Sequence, residues 1–152
     1  MKTLILALLL LPFVAFSQIK TDTIPFIGAK KIIVKTDSTA KAGFKMIGNL
    51  LLDNGFDIDK KDNDLLIIKT QPRAEKVKGQ IIHYYLNIRS MENYVAISGK
   101  WINSDILTLG SFSTSVQDYD IEQKKKSMFF IDIFPLIEGF AKKLNKPLIY
   151  SN

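Results

Sequence analysis

Residues 80–101, QIIHYYLNIRSMENYVAISGKW, carry the pattern that decides the fold. Along residues 80–89 an apolar set of side chains alternates with a mixed set, so each set points to one side of an extended chain. Residues 90–93 are expected to turn the chain, and residues 94–101 return with a second alternating set. The stretch predicts two adjacent antiparallel strands with one face on a core and the other face mixed in character.

The preceding segment predicts a strand and a helix. Residues 30–36 are β-rich, and Asp37 or Ser38 then offers an N-cap. Asn54-Gly55 is expected to end the helix, because glycine accepts the left-handed conformation common after a helix. Helical spacing places Ala40, Phe44, Ile47 and Leu51 on one apolar face of this helix. Gly43 and Gly48 within it predict that the helix approaches the sheet closely.

The residues between this helix and the central pair predict a hairpin. Residues 56–59 and 65–70 are expected to be its strands, joined by a charged turn, and residues 71–79 are expected to be a loop because they contain Pro72 and several charges. Residues 102–126 have no readable pattern, although a stretch of this length is expected to hold a short strand or helical turn.

The last element is expected to be a helix over residues 127–144, with a broad apolar stripe. Pro135 either kinks a continuous helix, which we favour, or opens a shorter helix after an extended segment. Together these elements predict an α+β fold in the order β-α-β-β-β-β-α. It would consist of a single antiparallel-rich sheet of four to five strands with two helices on one face.

The N-terminal residues predict export. Residues 1–17, MKTLILALLLLPFVAFS, have a basic start, an apolar run too short to span a ~30 Å hydrocarbon core, and small residues before Gln18. We therefore expect a signal peptide at 1–17, a flexible arm at 18–29 and a single α+β domain at 30–152. The expected location is the periplasm or the cell exterior.

Composition narrows the possible partners and chemistry. The chain has no cysteine, which excludes disulfides, thiolate metal sites, a cysteine nucleophile and a lipid-bearing N-terminal cysteine. Its net charge of +6 suits either solubility or attraction to anionic envelope material. We expect an envelope protein, a glycan or a lipid head group as partner, and no nucleic acid, no cofactor, no metal and no membrane span in the mature chain.

Residues 37–70, DSTAKAGFKMIGNLLLDNGFDIDKKDNDLLIIKT, resemble the repeated domain of the outer-membrane assembly lipoprotein BamC. That family also has an acidic or Ser cap, an amphipathic helix ending near Gly-Phe, an acidic strand and a charged turn. The element order is similar to small exported Gram-negative proteins with a TBP-like or helix-grip-like layout. The likeness covers residues 30–101, and this chain lacks the lipid-bearing cysteine and a second copy of the domain. The resemblance implies no catalytic residue.

The mixed face of the central strands is the candidate ligand surface. If that face is open, it can hold a peptide, a glycan or a lipid head group, and we predict a non-catalytic exported binding or assembly module of the cell envelope. The predicted ligand-binding residues are His83, Tyr85, Arg89, Tyr94 and Lys100.

Two other functions remain open, and a calcium site is disfavoured. The broad stripe of the last helix could wall a helix-grip-type cavity for a small apolar ligand. A hydrolase would need His83, the lone histidine, or an acid pair with partners brought by folding. A calcium loop is disfavoured, because the EF-hand glycine and closing glutamate are absent from the run of acids at Asp53, Asp57, Asp59, Asp62 and Asp64.

Overall fold

The structure, a computed structural model, describes residues 19–103, 117–124 and 132–152. Within these residues the chain forms one antiparallel sheet of nine strands and two helices, so the α+β class is confirmed and the predicted four to five strands are too few. The strands are β1 (Thr21–Asp22), β2 (Lys31–Lys35), β3 (Ile58–Asp62), β4 (Ile67–Thr70), β5 (Arg73–Val77), β6 (Gln80–Met91), β7 (Tyr94–Asn103), β8 (Gln117–Asp120) and β9 (Leu148–Ser151). The helices are α1 (Ala40–Asp53) and α2 (Phe134–Lys142).

The long β6–β7 hairpin is the centre of the sheet. Its two strands pair from His83–Ile102 to Met91–Tyr94. On its outer side β6 pairs with β4 over one half and with β5 over the other, and β7 pairs in the same way with β2 and β8. Because each long strand carries two short strands arranged end to end, the sheet holds more strands than the alternation alone predicts.

Both helices pack on the same face of this sheet. A Cβ built on Gly43 of α1 would lie 2.7 Å from Ser90 Oγ, which confirms the predicted close approach of α1. A Cβ built on Gly99 would lie 2.7 Å from Ile137 Cδ1 of α2. Leu86, the cross-strand partner of Gly99, and Ser90 lie four positions apart on β6, so both contacts are on one face.

The core lies between the helices and this face. It includes fully buried side chains from α1, from α2, and from five strands or the residues next to them. Burial of this apolar surface stabilises the fold without disulfides. The completely buried large side chains are Phe134, Ile32, Ile47, Leu51, Ile68, Leu86, Ile88, Ile97, Ile121, Ile137, Val34 and Val95.

The first helix begins later than the sequence predicts. Its N-cap is Thr39, whose hydroxyl accepts from the Ala42 amide at 3.3 Å, and neither Asp37 nor Ser38 caps it. Its end is as predicted, with Asn54 as the C-cap and Gly55 at φ +71°.

The loop predicted at residues 71–79 is wrong, because residues 73–77 form β5 and pair with β6. Lys78 and Gly79 both have positive φ, 49° and 86°, as a two-residue hairpin turn requires. One charged side chain of β5 packs against the protein: Arg73 lies 5.0 Å from the Phe56 ring centroid and donates to the Asn54 carbonyl at 2.8 Å. The charged residues of this segment therefore led to a predicted loop where the structure has a strand.

The last helix is shorter than predicted. It begins at Phe134 with Pro135 in its first turn, and residues 132–133 before it are not helical, so the favoured kinked helix is wrong and the shorter helix is correct. The part of the prediction at residues 127–131 lies outside the described residues. After α2 the chain returns as β9, which pairs with β2.

Two other segments contribute strands to the sheet. Within the predicted flexible arm at 18–29, β1 pairs with β9 and Ala29 is completely buried, so the arm is anchored at two points. Within residues 102–126, β8 pairs with the end of β7, as the length of that stretch led us to expect. Residues 104–116 and 125–126 of that stretch lie outside the described residues.

Candidate functional site: the open sheet face

The face of the sheet opposite the helices, called the open face below, carries all five predicted ligand residues. On β6, His83, Tyr85 and Arg89 alternate with the core residues and so point away from the helices. Lys100 is the cross-strand partner of Tyr85, and Tyr94 is the partner of Met91, which places both on the same face. In the described part of the chain, no helix lies over this face.

The five residues differ in how free they are to bind. Arg89 is exposed, and His83 and Tyr94 are partly buried. Tyr85 is only 6% exposed: its hydroxyl donates to Asp118 at 2.6 Å, and the Lys69 ammonium lies 4.6 Å from its ring centroid. The side chain of Tyr85 is therefore held by protein groups.

The β7–β8 pairing gives the open face its acidic end. Asp118 and Asp120 both lie on β8, and Asp120 is 3.9 Å from Lys100 and 3.7 Å from Lys30. Burial, together with the hydrogen bond to Asp118 and the negative charges of Asp118 and Asp120, raises the pKa of Tyr85 to about 12.

This pKa predicts a loss of stability at alkaline pH. Below the ordinary tyrosine pKa of 10.0, Tyr85 is protonated in both the folded and the unfolded chain, so it causes no pH dependence. Between pH 10.0 and about 12 the unfolded chain loses this proton while the folded chain keeps it, so the free energy of unfolding falls. Urea unfolding across this range should show the fall. A Tyr85→Phe variant should show a shallower one, and an equal slope in both proteins would contradict the assignment.

The open face also carries cations that the sequence interpretation missed. Lys31 and Lys35 of β2 alternate with the buried Ile32 and Val34, and Lys69 of β4 alternates with Ile68. The alternation of residues within β2 and β4 is enough to show that these lysines lie on the face of their strand opposite the core. The sequence has no comparable signal for the strand order that sets β2 and β4 on either side of the β6–β7 hairpin.

The centre of the open face is lined by short side chains. Ala96 and Ser98 are neighbours on this face of β7, between the longer Tyr94 and Lys100. Across the strands, Ala96 faces Ile33 and Arg89, and Ser98 faces Lys31 and Asn87. Ala96 and Ser98 are shorter than these neighbours, so we expect a shallow depression over β7. It is called the β7 depression below.

Among the described residues, the cross-strand neighbours of His83 do not provide the contacts that acid–base catalysis needs. Its cross-strand partners are Ile102 and Ala74, which neither orient an imidazole nor supply a nucleophile. The nearest acid in the same row of the sheet, Asp118, is occupied by Tyr85. Across residues 19–103, 117–124 and 132–152, no three His, Asp or Glu side chains form a group able to hold a metal ion.

A carrier cavity would also need the glycines of α1 in its wall, but these glycines contact the sheet. Gly43 is against Ser90, and a Cβ built on Gly48 would be 3.6 Å from Ile68 Cδ1. Ser90 Oγ also donates to the Ala40 carbonyl at 2.7 Å, which ties α1 directly to β6. The space beneath this part of α1 is filled by protein.

Comparisons with other proteins add no family. The chain matches no protein-family model, no curated protein and no solved structure. Within the described ranges, no helix is both long enough and apolar enough to cross a bilayer. The open face is therefore the described feature that bears most directly on the function.

Proposed function

We propose that this protein is a non-catalytic, exported binding or assembly module of the cell envelope whose open face holds an anionic partner. The observation that carries the proposal is the asymmetry of the sheet. Both helices cover one face, while the other face carries a mixture of cations, tyrosines and aliphatic side chains. A face of this composition is suited to recognition, because cations and aromatic rings both contribute at binding surfaces.

Charge supports an anionic partner. Among the described residues, Lys31, Lys35 and Arg89 of the open face form no ion pair with a carboxylate, whereas Lys69 and Lys100 are paired with Asp59 and Asp120. Unpaired cations on one surface attract an anion and speed its association.

Export is part of the proposal. The basic start, short apolar run and small residues of the segment at 1–17 favour removal of a leader before Gln18. An envelope location would also bring the open face into contact with anionic glycans, lipid head groups and envelope proteins.

The proposal is tested by crosslinking in cells that produce the full chain with a C-terminal tag. We expect an envelope component to be crosslinked, and the purified chain to begin at Gln18. Arg89→Glu should reduce that crosslink by about tenfold or more, because it reverses an exposed charge at the centre of the open face. Lys45→Glu makes the same charge change on the exposed side of α1 and should leave the crosslink unchanged.

Two results would contradict the proposal. One is an equal yield of the crosslinked component from both variants, which would remove the open face from the interaction. The other is substrate turnover by the purified chain alone, lost in His83→Ala, which would favour the hydrolase.

A further inference from the structure

We infer that the β7 depression is a binding site for an acidic sugar chain, whose carboxylates are held by the surrounding cations. This inference rests on the proposed function and names the chemistry of its partner. Its starting point is the row of residues along β7, where Ala96 and Ser98 lie between Tyr94 and Lys100.

The cations around the depression come from three strands. Lys31 of β2 faces Ser98 and Arg89 of β6 faces Ala96, whereas Lys100, at one end of the row on β7, is paired with Asp120. None of the residues directly opposite Ala96 or Ser98 is acidic, so an anion over these two side chains meets an unpaired cation on each side of β7. The Arg89 fork can hold a carboxylate through two hydrogen bonds.

The same depression offers apolar and uncharged polar contacts side by side. Ala96 forms an apolar floor, and the partly buried Ile33 forms an apolar side next to it. Beside it, Ser98 Oγ donates to the Asn87 carbonyl at 3.3 Å, which leaves its oxygen able to accept a hydrogen bond from a ligand. A sugar acid presents carboxylate, hydroxyl and C–H groups together, so it can use the cations, the Ser98 oxygen and the apolar floor at once.

The shape of the face favours a chain over a bilayer surface. A bilayer is flat and would be held off the recessed Ala96 and Ser98 by the longer side chains around them, whereas a single chain can enter between those side chains. The isoleucines one or two strands from Ala96 in the sheet register, Ile33, Ile67 and Ile149, are partly buried. Ile81 does project, with 68% of its surface exposed, but it lies beyond His83 near the end of β6.

The test measures binding of an oligogalacturonate to the full chain by titration calorimetry, with the methyl-esterified oligomer and phosphatidylglycerol vesicles as the other two probes. We expect the acidic oligomer to bind more weakly as salt rises, and the ester, which lacks the charge, to bind about tenfold less tightly or worse. Ala96→Trp should fill the depression and weaken binding by about tenfold or more, while Ala42→Trp on the exposed side of α1 should not.

A second variant keeps the test informative if Ala96→Trp fails to fold. Ser98→Glu adds a negative charge to the depression with less bulk than a tryptophan, and it should weaken binding of the acidic oligomer to the same degree. Unchanged binding in a folded Ala96→Trp or Ser98→Glu protein, or equal binding of acid and ester, would overturn the inference.

The probes also separate this inference from the proposed function. Binding to the vesicles but not to the oligomer, with loss in Arg89→Glu, would overturn the sugar-chain assignment and leave the open face as the binding surface. If no probe binds and the crosslinks formed in cells are unchanged by Arg89→Glu, both the sugar-chain assignment and the proposed function are overturned.

Discussion

Replacing Phe134 with alanine should lower the free energy of unfolding by about 3–5 kcal/mol, the largest effect we expect from one substitution. Phe134 is completely buried at the start of α2, and its ring centroid lies 6.2 Å from that of Tyr150 on β9. The alanine would leave a cavity between α2 and the sheet, because Pro135 and the first helical turn limit how far the chain can collapse into it.

Urea unfolding of the two proteins measures this effect. Leu52→Ala is the matched control, because this apolar side chain of α1 is 57% exposed and its loss should change stability by no more than about 0.5 kcal/mol. If Phe134→Ala were as mild as Leu52→Ala, α2 would not pack on the sheet as described.

The second large effect concerns the contact between α2 and β7. A methyl group on Gly99 would lie 2.7 Å from Ile137 Cδ1, 3.0 Å from Ile121 Cδ1 and 3.2 Å from the Tyr85 carbonyl oxygen. The isoleucine ends can shift only within a filled core, and the backbone oxygen is fixed by the β6–β7 pairing. Gly99→Ala should therefore destabilise the protein by about 1–3 kcal/mol.

At Gly139 the same glycine-to-alanine substitution should change the free energy of unfolding in the opposite direction. It lies within α2, and nothing would come within 4 Å of an added Cβ. Gly139→Ala should stabilise the protein by about 0.5–1 kcal/mol, because alanine has less conformational freedom to lose in a helix. Thermal unfolding of both variants compares them directly, and a lower melting temperature for Gly139→Ala than for Gly99→Ala would contradict the placement of α2.

The elements that the sequence predicts well are those whose pattern is local. The alternation of residues 80–89 and 94–101 is visible without any partner strand, and the structure confirms these residues as the β6–β7 hairpin. The face of α1 follows from helical spacing, and its end follows from Gly55, whose φ of +71° a glycine adopts without strain.

The elements that it predicts poorly depend on long-range packing. Nothing local shows that Arg73 will lie over Phe56, so a charged strand resembles a loop. Pro135 is compatible with a kink or with a first turn, and the structure places it in the first turn, directly after the completely buried Phe134. The two-residue β1 is too short to give a pattern and exists only because β9 presents an edge to it.

The candidate site was predictable in part for the same reason. The alternation of β6 and β7 assigns His83, Arg89 and Tyr94 to the face away from the core. The role of Tyr85 was not visible, because Asp118 reaches it from a strand 33 residues later in the chain. Lys31 became part of the same surface only through the pairing of β2 with β7.

Photocrosslinking from single positions in the full chain, expressed in cells, tests the central claim that the open face is the binding surface. A photoreactive amino acid at Ile67 would lie on the open face, beside Arg89 in the register of β4 and β6. The same amino acid at Leu52 would lie on the exposed side of α1. We predict a crosslinked envelope component from position 67 and none from position 52; a crosslink from position 52 alone, or equal crosslinks from both, would contradict the claim.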